Sequence, residues 1–171
     1  MLKSTLIPIA SVIFITACNN SSENKVETTD TTTSAMTEDT THHMATTGAV
    51  PELPAIPEGA RVYFKNLKNG ATVSSPLKVE FGVQKIKIDT AGPVVAGSGH
   101  HHLFVDAEDS LAAGTVIPKD ATHLHFGKGQ VEVDSLKLTP GKHKLTLQFA
   151  DGLHRSYGGK MATSVNVTVK K

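Results

Sequence analysis

From residue 51 onward apolar and polar side chains alternate one by one, and this period of two constrains the fold more than any other feature of the chain. Val62 and Phe64 alternate with Arg61, Tyr63 and Lys65. Leu77, Val79, Phe81 and Val83 fall on one side of their run, and Lys78, Glu80 and Gly82 on the other. Leu145, Leu147 and Phe149 interleave with Lys144, Thr146 and Gln148, and Val165, Val167 and Val169 with polar neighbours. A β-strand sends successive side chains to opposite faces, so each run describes a strand with one face buried. Turn-forming clusters separate the runs: Lys68-Asn69-Gly70, Ala91-Gly92-Pro93, Gly97-Ser98-Gly99, Thr139-Pro140-Gly141 and Asp151-Gly152. No window carries a long helical period. The expectation is an all-β domain over residues 51–171, an immunoglobulin-like antiparallel β-sandwich, with a small β-barrel as the alternative. A single Cys excludes disulfide staples, so the alternating apolar core must hold the domain.

The rest of the chain has a different character. Residues 19–50 hold 10 Thr, one base and five acids with few apolar side chains. Such a segment buries too little surface to offset its ordering entropy, and residues 18–50 read as Cys18 followed by a disordered tether. As a flexible coil it reaches about 30 Å. The tether carries a charge of −4 and residues 51–171 a charge of +4, which the net +1 of the whole conceals. That balance gives no support to nucleic-acid binding. Residues 1–17 join Lys3, a short apolar run from Leu6 to Ile15 and the small residues Thr16-Ala17, which is the layout of a secretory signal. The run is too short to span a bilayer. Ile15-Thr16-Ala17-Cys18 resembles the lipobox of bacterial lipoproteins, and the resemblance implies that Cys18 is acylated, becomes the new first residue and is acylated again. Two or more acyl chains anchor stably where one does not. The resemblance implies an extracytoplasmic, membrane-anchored protein, at the outer membrane if the host is Gram-negative.

Seven of the nine histidines lie in the alternating region. His100-His101-His102 opens a strand that continues to Asp106, so His100, His102, Phe104 and Asp106 share one face and His101, Leu103 and Val105 the other. His123 and His125 repeat the pattern opposite Leu124 and Phe126. Two His-x-His pairs on adjacent strands bring up to four imidazoles toward one ion, and neutral imidazole suits copper and zinc. The expected metal ligands are His100, His102, His123 and His125. His101, Asp106, His154 and Tyr157 are expected as alternates or as residues that orient the ligands. His143 shares a face with Leu145, Leu147 and Phe149 and reads as a core-edge residue. Strand-end histidines also serve simply to hydrogen-bond loop carbonyls, and this structural use is the competing reading. His42-His43-Met44 reads as a chance cluster in the tether.

Gly127-Lys128-Gly129-Gln130 lacks the spacing of a phosphate loop and reads as a tight turn with a basic tip. Ser98 and Ser156 lie outside any nucleophile-elbow pattern, so no enzyme activity is expected.

The blocks Gly97-Ser98-Gly99-His100-His101-His102-Leu103-Phe104-Val105-Asp106, Ile117-Pro118-Lys119-Asp120 and His123-Leu124-His125-Phe126-Gly127-Lys128-Gly129-Gln130 closely resemble a bacterial envelope family, the domain of unknown function 4399. Pro140-Gly141-Lys142-His143-Lys144-Leu145 and Phe149-Ala150-Asp151-Gly152-Leu153-His154-Arg155-Ser156-Tyr157-Gly158 resemble its second half, so the likeness covers roughly residues 60–170. Val131 and Gly159 stand where the family pattern tends to have Thr and Pro. The resemblance supports the fold and the envelope address and carries no activity. The functional expectation is a lipid-anchored extracytoplasmic protein that binds copper or zinc. Its expected partners are the membrane through the anchor, a metal ion and an envelope protein. The alternative is a non-catalytic envelope interaction module with structural histidines.

Overall fold

A computed structural model describes residues 49–171. The signal at residues 1–17, Cys18, His42-His43-Met44 and all but the end of the tether lie outside the described residues.

Among the described residues nine strands form: β1 (Arg61–Phe64), β2 (Ala71–Val73), β3 (Leu77–Gln84), β4 (Lys87–Ile88), β5 (Ser98–Val105), β6 (His123–Phe126), β7 (Glu132–Leu136), β8 (Gly141–Ala150) and β9 (Ala162–Val169). One sheet has the order β1-β3-β7 and the other β2-β9-β8-β5-β4, with β6 also pairing β5. Most pairs are antiparallel as expected, but β2 with β9 and β4 with β5 run parallel, so the second sheet is mixed. β4 pairs the start of β5, at Ser98 and Gly99, and β6 pairs its later residues from His101 to Phe104. Val62, Val79 and Phe81 of the first sheet share one apolar core with Leu103, Leu145, Leu147, Phe149 and Val167 of the second. This is the two-layer solution for sheets with one apolar face each.

The six-stranded sheet departs from simple alternation at its centre. β5 is buried on both faces except at Val105, and β8 is buried throughout from Leu145 to Ala150. The outer face carries a second, smaller cluster, Phe104, Ala150 and Ile117, with Ala107 and Leu111 against it. The connection between β5 and β6 therefore lies over the sheet. Gln148, fully buried, ties this cover down: it accepts from the Leu111 amide at 3.2 Å and donates to the Gly158 and Met161 carbonyls. Gly114 donates to the Ser156 carbonyl at 2.9 Å, Ser156 to Thr115 at 2.8 Å and Ile117 to His154 at 2.9 Å. Those bonds stitch the β5–β6 connection to the segment after β8, and the outer-face histidines lie where the two meet.

Candidate metal centre

The parity of β5 divides its three histidines. His101 faces the inter-sheet core, 5.3 Å from the Phe81 ring and 5.1 Å from that of Phe149 between centroids. Among the described residues neither of its ring nitrogens has a hydrogen-bond partner. Burial, first, and the neighbouring His100 hold its pKa down to about 3, so it is a neutral core residue. Such an unpaired buried group costs about 1–3 kcal/mol.

His100 and His102 lie on the outer face with their Nε2 atoms 3.0 Å apart. His102 stands opposite His125 in the β5–β6 ladder. The His125 Nε2 lies 3.1 Å from that of His154, which arrives from the turn after β8. All six ring pairs among His100, His102, His125 and His154 have centroids between 4.7 and 5.9 Å apart. Ligand nitrogens of His100, His102 and His125 fall within 4.8 Å of one another, a group able to hold a metal ion. Bond lengths of 2.0–2.1 Å around a tetrahedral zinc place nitrogens about 3.4 Å apart, close to the spacings seen here.

Desolvation, first, and repulsion from the neighbouring rings lower the pKa of His100 to about 4 and of His102 to about 2. Desolvation also lowers that of His125, with His154 and Lys119 adding to it. The lone pairs of these imidazoles are therefore free of protons at neutral pH, the state a metal requires. The Nδ1 atoms of His100 and His102 are buried without partners among the described residues, so packing between sheet and cover orients these rings.

Two backbone devices aim the other pair. His154 adopts a left-handed conformation, with φ of 65°, which costs an L residue about 1–2 kcal/mol. Asp151 holds that turn: its Oδ1 accepts from the Leu153 and Arg155 amides at 3.0 and 2.9 Å, and its Oδ2 from Arg155 Nε at 2.8 Å. Arg155 also donates to the Pro51 carbonyl at 2.6 Å. The second device is Gly127. A Cβ there would stand 2.2 Å from the His125 Nε2 and 2.9 Å from the Ala91 Cβ, so the His125 ring lies in space that only glycine leaves open.

The structure does not bring all the expected ligands together. His123, expected beside His125, turns to carboxylates: Nδ1 is 2.8 Å from Asp120 and Nε2 3.2 Å from Glu108. Burial opposes its charge, but these two acids raise its pKa above the ordinary value. With both nitrogens engaged, it clips the two ends of the β5–β6 connection. His154, expected as an alternate, is the fourth ring of the group. Asp106 stands apart from the centre, 2.7 Å from His143 Nδ1, and that contact raises the pKa of His143. The turn at Asp106, with φ of 55°, removes it from the face it shares in an ideal strand. Tyr157 is buried in the main core and donates to the Ser98 carbonyl at 2.8 Å, so it braces β5 from within. The sequence reading missed Glu108, Asp120 and Gly127. Asp120, three residues before His123, carried the only local signal.

A pocket of about 220 Å³ opens onto His102, His125 and His154, with Val116, Ile117, Pro118 and Lys119 as its other wall. A family model described as a domain of unknown function, DUF4399, matches residues 79–170. Neither the curated proteins nor the solved structures contain a match to the chain.

Proposed function

The chain belongs to the DUF4399 family, and from that premise we propose that this protein is a non-catalytic metal-binding protein of the cell envelope, which binds copper or zinc for buffering or delivery. The observation that carries the reading is the tetrad His100, His102, His125 and His154, four imidazoles in mutual ring contact on one sheet face. An all-imidazole set suits Zn and Cu over hard cations, which prefer oxygen. The groups around the pocket offer ligand atoms, an apolar wall and one lysine, and this composition supports binding over nucleophilic catalysis. Cys18, in its lipobox-like context, supplies the lipid anchor, and the protein resides outside the cytoplasm, at the outer membrane if the host is Gram-negative.

Metal content and copper and zinc titration of the full-length protein in detergent test the reading, beside a His100→Ala/His125→Ala variant. Stoichiometric sub-micromolar binding that the variant loses is expected. Absence of binding by the native protein overturns the proposal and turns attention to histidines that organise an envelope interface. For the anchor, Cys18→Ala is expected to move the protein from the membrane fraction to the soluble one.

A further inference from the structure

The tetrad contains no carboxylate, and this has an electrostatic consequence for any divalent ion it holds. Four neutral imidazoles leave both positive charges of such an ion uncompensated. Asp151, the acid that acts on His100, is already paired with Arg155 at 2.6 Å. His102, His125 and His154 face the 220 Å³ pocket rather than closed protein. The opposite wall is apolar through Val116, Ile117 and Pro118, and exposed Lys119 lines the same pocket as His125. Among the described residues Lys119 is in no ion pair.

We propose that this pocket is the anion site of the metal-loaded centre and takes a small monocarboxylate. The carboxylate neutralises charge at the ion and pairs with Lys119, and a short apolar tail lies along Val116, Ile117 and Pro118. At about 30 Å³ per water-sized group, the volume holds an acid of a few carbons. The inference rests on the metal-binding reading and names the ligand class of the same site.

The test loads the full-length protein with Co²⁺ as a spectroscopic probe and titrates it with acetate, propionate and butyrate. Saturable changes in the cobalt visible spectrum are expected, with affinity rising up to about fourfold for each added methylene. Lys119→Gln, an exposed change, is expected to weaken butyrate about fivefold when both proteins are titrated in their cobalt-saturated form. Cobalt binding without a spectral response to the acids, or with affinities indifferent to both chain length and Lys119, overturns the anion site and leaves metal binding standing. Failure of Co²⁺, Cu²⁺ and Zn²⁺ alike to bind overturns both.

Discussion

His123 and His125 are two residues apart on one strand and share a face, yet they belong to opposite chemistries. His125 meets three other imidazoles over Gly127 and is held neutral. His123 meets Asp120 and Glu108 and is pushed toward its charged form. The strand gives both the same direction, and the loops that arrive above them differ. At His125 the arriving segment is the Asp151 turn bearing His154, and at His123 it is the acidic base of the β5–β6 connection. A His-x-His repeat thus fixes geometry along the strand, while the neighbours fix whether each ring is held neutral or pushed toward its charged form.

The sharpest way to break this contrast is to remove each ring in turn. His125→Ala is expected to lower copper or zinc affinity by about 100-fold or more, since loss of a group that merely supports a ligand already costs 10–100-fold. His123→Ala is expected to leave affinity nearly unchanged and to loosen the β5–β6 connection, seen as faster amide exchange there. Equal effects of the two variants on isothermal titration refute the division. Gly127→Ala comes next. It removes no ligand and its backbone is not left-handed, but its Cβ evicts the His125 ring, so affinity is expected to fall about 10- to 100-fold with the fold intact by circular dichroism.

Stability should separate the histidines by sign. His101, held down to about 3, weighs increasingly against the fold as pH falls from 6.5 toward 3, because the unfolded chain binds the proton first. His123 and His143, both raised, contribute stability that is present below pH 6.5 and is lost as pH rises through their folded values. His101→Leu is expected to stabilise the protein by about 1–3 kcal/mol in urea unfolding and to flatten the acid limb, since it removes an unpaired buried imidazole. A destabilised variant with the acid limb unchanged shows that the ring has a partner. Smallest is Asp120→Asn, which is expected to bring the His123 titration back toward 6.5 by NMR, with little effect on urea unfolding. An unmoved titration removes Asp120 from the clip.

Much of this architecture was legible because a half-buried strand records its environment in its own sequence. β1, β3, β8 and β9 alternate in sequence, β5 splits its three histidines by parity as read, and β6 keeps its two on one face. β7 was missed because its side chains Glu132, Asp134 and Ser135 are those of an edge strand, with little apolar surface to reveal a period. β4 is two residues long and its partner is parallel, so it carries no pattern at all. The site was legible to the same depth. His100, His102 and His125 followed from period two, whereas the exchange of His123 for His154 depends on Glu108 and on a turn 29 residues beyond His125. Contacts between loops leave no periodic trace.

The vacant Cβ position of Gly127 turns a steric detail into a way of sorting relatives. A chain of this family can keep every histidine and still be unable to seat the ring on β6 if it has a larger residue at this position. The glycine, which binds nothing, is then the more economical marker of which members share this centre and which have retained its letters alone.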